Sequence, residues 1–399
     1  MRDGIKIIDF DRHIKEPDSL YQQYLSDSEK KEYLPKIETM GPKNESFSQR
    51  LKRLKDYACF PSPEQIMVND LPLWKDMSED VTIELNLQSH SRSSDIDVAG
   101  DALGQLSVMD STGVDIAVLL PNHGSYYVYN DDIGAKQSRA YAKAYNRWMI
   151  DFMSASSSRL IGSALISRHD PTCMVKDLEE ALKQGFTVVA LQSSPVQGVA
   201  LEDESLYPFW DVCEKNQVTV LFHTFTHSRI SIVGSDRFAT RFGKFSCSHP
   251  MEAMSGILAL LTGGVLEKFP GLHFGFLEAG CGWLPYWLWR LDQLSYKSLS
   301  NEVAGLIMRP PSEYFKRQIW VAIEPEEVMI PEVIQQIGNS NLIFGSDYPH
   351  MDHDSDNIDH IFNLSPSLGK ETLNKILWEN SADLLGKNFK ASIDTAMAV

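Results

Sequence analysis

Three consecutive segments decide the fold: "DIAVLL" (115–120), "GAKQSRAYAKAYNRWMIDFMSAS" (134–156) and "LIGSALI" (160–166). The first and third are short apolar runs of the length and composition typical of buried strands. The middle segment repeats its apolar residues with the spacing of an amphipathic helix. Another helical pattern, "MVKDLEEALKQG" (174–185), follows and ends on a glycine, which is a common helix stop. The order strand–helix–strand–helix is typical of parallel sheets.

The alternation extends over most of the chain. Eight strands are predicted, at 5–10, 115–120, 160–166, 187–192, 219–223, 272–278, 319–324 and 342–347. Eight apolar strands that alternate with helices predict a (β/α)8 TIM barrel, here as a single domain over 1–399. A doubly wound sheet would need a glycine-rich turn after the first strand, and the sequence has none there.

Two long connections interrupt the repeat. Residues 14–112 separate the first two strands, and 224–271 separate the fifth and sixth. Long insertions on a barrel usually form lids, pocket walls or subunit contacts. We therefore expect 14–112 to cap the barrel mouth or to meet a second subunit, in a homodimer or higher homo-oligomer.

Composition excludes several classes of function. The 399 residues carry a net charge of −17, which argues against partners such as nucleic acids or anionic membranes. The most apolar window, 256–266, is too short to span a bilayer. Five cysteines without a CxxC pair, together with the absence of a signal-peptide pattern, predict a reduced, cytoplasmic protein.

The first strand leads into an unusual cluster of charge, "IIDFDRHIKEP" (7–17). Because strand side chains alternate, Asp9, Asp11 and His13 are predicted to share one face. Two carboxylates and an imidazole are costly to bury there without a cation or hydrogen-bond partners. A strand that simply reaches the surface at this point is the structural alternative.

Similar residues end other strands of the predicted barrel, where (β/α)8 enzymes carry their chemistry. These residues are Asp11, His13, His223, Glu278, Glu324 and Asp347. Carboxylates brought together would repel one another, so a divalent cation is the simplest explanation. Histidine and carboxylate ligands with an open coordination position suit zinc, manganese or iron acting on a bound water.

At this point the sequence resembles the amidohydrolase superfamily, in its amidohydrolase-2 branch of metal-dependent hydrolases and decarboxylases. The resemblance covers most of the chain and rests on "IIDFDRHIKEP", "YNRWMIDF", "EALKQGFTVVALQ", "LYPFWDVCEKNQVTVLFHT", "KFPGLHFGFLEAGCGWLPYWLWRLD", "LIFGSDYPH" and "ENSADLLG". It implies the same barrel fold and an enzyme that acts on a small organic substrate.

The resemblance also implies a ligand set, with departures from the usual pattern. Asp11 and His13 stand where the family has its His-x-His pair, and Glu278 stands where a histidine is frequent. The fourth strand has no lysine, which implies one metal ion, with zinc expected first and manganese or iron as alternatives. The implied ligands are Asp11, His13, His223 and Asp347. Asp347 could also act as general base, and Glu278 as acid, base or a further ligand.

Four further residues are candidate substrate contacts: His123, Arg241, His249 and Glu324. His249 could instead cap a helix, and Arg241 could form a surface ion pair. The role expected of Glu324 is to orient a ligand or the substrate, and His123 is expected to face the pocket. His227 and His350 lie near the mouth by their position in the sequence, and solvated loop histidines are the equal alternative.

Charge separates the possible reactions. The predicted mouth holds three carboxylates and no obvious strand-end arginine, which favours a neutral substrate over an anionic one. We therefore expect metal-dependent hydrolysis of an amide, ester, lactone or activated C–C bond. Non-oxidative decarboxylation of an aromatic or enol-type acid is the alternative, and a non-catalytic binding barrel is a third possibility.

Overall fold

The structure is a computed structural model that describes residues 1–39, 64–74, 98–226, 228–350 and 357–397. It confirms the barrel: eight parallel strands form one sheet, in which each strand pairs with the next barrel strand along the chain. The barrel strands are β1 (Ile8–His13), β5 (Ile116–Leu120), β6 (Leu160–Leu165), β7 (Val188–Leu191), β8 (Thr219–Phe222), β9 (His273–Phe276), β10 (Ile319–Ile323) and β11 (Leu342–Phe344). A separate three-stranded antiparallel sheet contains β2 (Lys36–Thr39), β3 (Glu64–Val68) and β4 (Leu71–Pro72).

Helices follow the barrel strands and cover the outside of the barrel. Among the described residues they are Leu20–Tyr24, Asp27–Tyr33, Ala102–Thr112, Gly124–Val128, Ala135–Met153, Pro171–Lys183, Tyr207–Lys215, Arg241–Thr262, Val265–Lys268, Leu284–Arg290, Lys297–Leu299, Pro311–Gln318, Ile330–Ile337, Asn357–Asn363, Ser365–Asn374 and Asn380–Met397. None of these helices is long and apolar enough to cross a membrane.

The Ala135–Met153 helix shows how the outer layer packs. Its buried residues Tyr141, Tyr145 and Met149 recur at intervals of four and form one apolar face. Gly162 of β6 accommodates this helix, because a Cβ at Gly162 would lie 2.5 Å from the Met149 side chain. Burial of apolar area at about 25 cal/mol per Å² stabilises this contact, and Gly162 allows the close approach.

Hydrogen bonds to main-chain carbonyls fix the lower end of the barrel, where the strands begin. The Asn341 amide donates to the carbonyl of Ile319 at 2.8 Å, and the Thr219 hydroxyl donates to the carbonyl of Leu384 at 2.9 Å. Asn380 donates to the carbonyl of Leu342 at 2.7 Å. These side chains tie the last helix and the strand starts together.

The first strand departs from the predicted alternation. Asp9 pairs with Ala117, but Arg12 pairs with Leu119, so β1 contains an irregularity between Asp9 and Arg12. The prediction that Asp9 shares a face with Asp11 and His13 is therefore wrong, because a bulge reverses the alternation locally.

Asp9 instead closes the barrel between its first and last strands. The Asp9 carboxylate accepts hydrogen bonds from the Ser346 amide at 2.8 Å and the Ser346 hydroxyl at 2.6 Å. The His13 amide donates to the carbonyl of Tyr348 at 2.7 Å across the same seam. Asp9 thus holds the segment that precedes Asp347.

Part of the long insertion lies against the barrel. Asn69, in the turn between β3 and β4, exchanges two side-chain hydrogen bonds with Gln137, at 3.0 and 3.1 Å. The Arg229 guanidinium donates to the carbonyl of Pro72 and pairs with Asp132. These contacts hold residues 64–74 of the insertion against the barrel. Most of the polar segment 42–100 lies outside the described residues.

Candidate metal centre and active site

Four predicted ligands meet at the upper end of the barrel. Donor atoms of Asp11, His13, His223 and Asp347 all lie within 4.8 Å of one another, and all four side chains are buried. Nε2 of His13 lies 3.1 Å from Nε2 of His223, 3.2 Å from Oδ1 of Asp347 and 3.3 Å from Oδ1 of Asp11. Nε2 of His223 lies 3.7 Å from Oδ1 of Asp11.

These distances fit a single metal ion. Four donors held about 2.1 Å from one ion in tetrahedral geometry lie about 3.4 Å from one another. Two imidazole nitrogens and two carboxylate oxygens form a donor set that zinc, manganese and iron accept. Without a cation, only protons on the imidazoles would offset the charge of two carboxylates held together in a buried space.

The surrounding backbone orients His13 for this role. Nδ1 of His13 lies 3.1 Å from the carbonyl of Pro121, which assigns the proton to Nδ1. Nε2 then presents its lone pair to the cluster. The end of β5 therefore sets the tautomer of a ligand on β1.

Backbone geometry brings Asp347 against β1. Gly345 precedes it, and a Cβ at Gly345 would lie 2.5 Å from the Asp11 Cβ, so only glycine fits this approach. Asp347 itself adopts a positive φ of 49°, and Glu278 adopts a φ of 46°. Non-glycine residues in this region cost about 1–3 kcal/mol each and concentrate at functional sites.

Glu278 lies next to the four ligands and joins two histidines. Its Oε2 is 2.8 Å from Nε2 of His223, and its Oε1 is 3.4 Å from Nε2 of His249. Burial raises the Glu278 pKa to about 7; His249 opposes this effect, and the charge of Asp347 adds to it. The carboxyl group is therefore able to exchange a proton near neutral pH.

Glu327, which follows β10, holds the loop that carries Glu278. The carboxylate of Glu327 accepts hydrogen bonds from the amides of Cys281 at 2.9 Å and Gly282 at 2.9 Å. It thereby fixes the turn that follows β9 and places Glu278 over the mouth.

His350 adds a second imidazole beside Asp347. Its Nδ1 lies 2.7 Å from Oδ1 of Asp347, and its ring stacks on His13 with centroids 4.0 Å apart. Burial opposes ionisation of Asp347, but the charge of His350 and hydrogen bonds from His13 and His350 outweigh it and lower the Asp347 pKa. Asp347 is accordingly an anion, which suits a ligand better than a general base in the metal-free protein.

A second grouping of donors overlaps the first. His13, Glu278, Asp347 and His350 also offer atoms within 4.8 Å of one another. The ligand set Asp11, His13, His223 and Asp347 therefore stays a prediction, and so does the role of Glu278 as neighbour or ligand.

Rings line one side of the mouth. Phe225 lies beside His223 with centroids 4.6 Å apart and contacts Tyr126 at 5.3 Å. Trp74, from the insertion, meets Tyr126 at 6.1 Å and His123 at 5.3 Å, both edge to face. We call Trp74, His123, Tyr126 and Phe225 the aromatic wall; it runs from a predicted metal ligand to the insertion.

The predicted substrate contacts differ in their placement. His249 reaches the site, with Nε2 2.9 Å from the carbonyl of Thr224, and His123 belongs to the aromatic wall. Glu324 follows β10; its backbone amide donates to Glu327 at 3.4 Å, and neither group of candidate metal donors among the described residues includes it. Arg241 begins the Arg241–Thr262 helix, but its side chain and the whole of His227 lie outside the described residues.

Sequence reasoning did not assign several residues that the structure brings to the mouth. For His350 a solvated loop position was an equal alternative, although it follows Asp347 by three residues within "SDYPH". Tyr126 lies in the Gly124–Val128 helix, whereas Phe225 and Trp74 lie in two separate loops, and no local pattern joins them. Only the expectation that 14–112 would cap the mouth pointed toward Trp74.

Comparison with known proteins gives one family and a set of decarboxylases. The family described as "Amidohydrolase" matches residues 100–387. A 2-amino-3-carboxymuconate-6-semialdehyde decarboxylase from Dictyostelium discoideum is 24% identical over 210 residues, which are 52% of this chain and 56% of that protein. The matched region thus spans about half the length of that curated relative.

Solved structures share the fold. A Mycobacterium avium subsp. paratuberculosis amidohydrolase has a TM-score of 0.73 at 20% identity, covering 96% of this chain and 98% of that one. A dihydroxybenzoic acid decarboxylase from Polaromonas sp. JS666, with bound manganese and the inhibitor 2-nitroresorcinol, has a TM-score of 0.63 at 17% identity, covering 96% and 97%. At these identities the likeness establishes the fold only.

Proposed function

Because this chain belongs to the amidohydrolase family, we propose that it is a metal-dependent decarboxylase of a small aromatic carboxylic acid. The observation that carries the proposal is the aromatic wall, which extends from Phe225, beside His223, to Trp74. Flat rings stacked or edge-on to one another favour a flat aromatic ligand. A ring held there would place its substituents next to the predicted metal ligands.

The relatives support decarboxylation over hydrolysis. The curated relative from Dictyostelium discoideum and the manganese-containing structure are both named as decarboxylases. The expectation of hydrolysis rested on the lack of strand-end arginines. His249 and His350 lie next to Glu278 and Asp347, where the imidazoles offset part of the negative charge that an anionic substrate would meet. The charge of the site therefore does not favour a neutral substrate over a carboxylate.

The ion held by Asp11, His13, His223 and Asp347 would polarise oxygen substituents of the acid and draw electron density away from the bond that breaks. The protein residues do the rest. The wall would orient the ring and exclude water from one of its faces. His249 would hold Glu278 through Oε1, which leaves the carboxyl group over the substrate.

Proton delivery to carbon completes the proposed reaction. The bond between the ring and its carboxylate breaks, carbon dioxide leaves, and the electron pair stays on the ring carbon. Glu278 gives its proton to that carbon and recovers one from solvent through His249. The net change is one carboxylate and one proton converted to one arene and one carbon dioxide.

A substrate panel tests the proposal. Protein loaded with zinc or manganese is incubated with dihydroxybenzoates, alkylsalicylates and carboxyvanillate-type acids, and separately with aryl amides, esters and lactones. We expect carbon dioxide release from at least one aromatic acid and no turnover of the amides, esters and lactones. Hydrolysis of a lactone or amide without carbon dioxide release from any acid would contradict the proposal and restore the hydrolase interpretation.

A further inference from the structure

Gln192 is a buried amide without a partner at the mouth of the barrel. It follows β7 directly and is 1% exposed. Neither its side-chain oxygen nor its side-chain nitrogen has a hydrogen-bond partner in the described part of the chain. A buried primary amide normally finds partners, because leaving both ends unpaired costs free energy.

The sheet register directs this side chain toward the site. Leu191 pairs with Phe222 on the parallel neighbour, so Gln192 lies alongside His223. Phe222 stacks on Phe276 with centroids 4.9 Å apart, on the face opposite to His223. Residues in register on parallel strands project to the same side, so Gln192 projects into the mouth beside a predicted metal ligand.

The polar atoms of the Gln192 side chain hold no described element of the fold in place. Its backbone carbonyl does the structural work by accepting a hydrogen bond from Arg168 at 2.5 Å. Arg168 also donates to the carbonyls of Ser194 at 2.8 Å and Val199 at 2.8 Å, which fixes the loop after β7. The amide is therefore held in place by its main chain and is left available to a ligand.

A second buried glutamine shows what structural use looks like in the same barrel. Gln318 is 0% exposed and lies at the lower end, just before β10. Its nitrogen donates to the carbonyl of Phe269 at 2.7 Å, and its oxygen accepts from Arg317 at 2.6 Å. Both ends of the Gln318 amide are hydrogen-bonded, whereas neither end of the Gln192 amide has a hydrogen-bond partner among the described residues.

We propose that Gln192 is a substrate-contact residue whose N–H donates to a carboxylate or phenolate oxygen of the ligand and whose carbonyl accepts from a ligand hydroxyl. The ligand class rests on the proposed function; the unpaired amide next to His223 does not. Such a contact selects ligands with oxygen substituents over plain arenes, because a ligand without them would leave the amide unpaired. Leaving this amide unpaired lowers the stability of the ligand-free protein, and ligand binding would supply the missing hydrogen bonds.

Gln192→Met tests the proposal, with Gln318→Met as matched control. Methionine keeps the length and approximate volume of glutamine but removes both hydrogen-bonding ends. Each variant, loaded with manganese, is titrated with 2-nitroresorcinol, whose absorbance and quenching of tryptophan fluorescence report binding. Thermal unfolding of each loaded variant is recorded without ligand.

The two variants should show opposite behaviour. Gln192→Met is expected to weaken binding about 3- to 10-fold, as for one or two neutral hydrogen bonds, and to leave the Tm unchanged or higher. Gln318→Met is expected to lower the Tm and to leave binding unchanged. Unchanged binding in Gln192→Met, or a Tm lowered as much as in Gln318→Met, would overturn the proposal.

Failure of the proposed function is distinguishable from failure of this inference. Wild-type protein that binds 2-nitroresorcinol through Gln192 but releases no carbon dioxide from any acid contradicts the function alone. Protein that decarboxylates an acid equally well with Gln192→Met contradicts the inference alone. If wild type does not bind the probe, the thermal comparison decides: an unchanged or raised Tm in Gln192→Met supports an amide kept for a ligand, and a lowered one overturns it.

Discussion

The two ends of the barrel treat buried polar groups differently. At the lower end Asn341 and Thr219 donate to main-chain carbonyls, and each bond ties two elements together. At the upper end His13, His223 and Asp347 face one another, and two carboxylate residues adopt strained backbone angles. The lower arrangement stabilises the fold, whereas the upper one is typical of a site that holds an ion and a ligand.

The largest expected effect comes from removing a ligand at the upper end. Asp347→Ala or His223→Ala should reduce bound metal from about one ion per chain to almost none and abolish turnover, because each supplies one of four donors. Metal content is measured on purified protein by mass spectrometry. Retention of the ion with either variant would place the metal centre elsewhere.

The matching change at the lower end is Asn341→Ala, which should have the opposite profile. It should lower the free energy of unfolding by about 1–3 kcal/mol, because buried carbonyls lose their donor, and leave metal content and kcat/KM unchanged. Loss of metal in this variant would break the distinction between the two ends.

Glu278→Gln should give the next largest effect. The change keeps the size of the side chain but removes the proton, so turnover should fall by about 10²–10⁴-fold. Metal content should be retained if Glu278 is only a neighbour of the ligands. Loss of metal would show that Glu278 is itself a ligand, as the overlapping donor group allows.

Metal affinity should depend on pH through His13 rather than His223. Burial opposes a charge on His13, but the hydrogen bonds that His13 donates to Asp11 and Asp347 outweigh it and hold its pKa well above the ordinary value. Burial lowers the His223 pKa to about 4, so His223 is already neutral at pH 7. An ion must therefore displace one proton, from His13, and affinity should rise about tenfold per pH unit until the His13 pKa is passed.

The sign for stability follows from the same shifts. In the metal-free protein a raised His13 pKa stabilises the fold below the ordinary histidine pKa, and this contribution is lost as the pH rises through the folded pKa. Calorimetric metal titrations in buffers of different ionisation enthalpy measure the protons released. Affinity that is independent of pH between pH 6 and 8 would contradict the proposed charge state.

Trp74 provides the smallest effect and tests the aromatic wall. Trp74→Ala should raise KM for an aromatic acid about 3- to 10-fold with a smaller change in kcat, because an edge-to-face ring contact is lost. Trp74→Phe should restore most of the affinity. Trp289→Ala is the control, since that ring is 52% exposed and lies outside the wall. Equal kinetics for Trp74→Ala and Trp289→Ala would remove the wall from the account.

The sequence predicted the barrel and the convergence of its ligands because both follow from regular strands. Residues that end parallel strands must meet at one end, which places Asp11, His223 and Asp347 together. Asp9 was misplaced because a bulge in β1 cannot be seen in the alternation of side chains. The missing partner of Gln192 depends on contacts between strands, which no local pattern records.

The expectation of hydrolysis rested on the charges at the strand ends. His249 and His350 lie instead on a helix and in a loop, so their positions could not be read from the strand pattern. Their positions depend on how 224–271 and the segment after β11 pack over the mouth. The proposal about reaction type therefore needed the assembled site and the relatives, whereas the fold and the convergence of the candidate ligands could be predicted without them.

One measurement tests the central claim, decarboxylation at the upper end, most directly. The acid most rapidly consumed in the substrate panel is incubated in D₂O with metal-loaded and metal-free protein, and carbon dioxide and the arene are quantified by mass spectrometry. We predict one carbon dioxide per arene, one deuterium at the vacated ring carbon, and no turnover without metal. Incorporation of solvent oxygen into the product without carbon dioxide release, or full turnover by metal-free protein, would contradict the account.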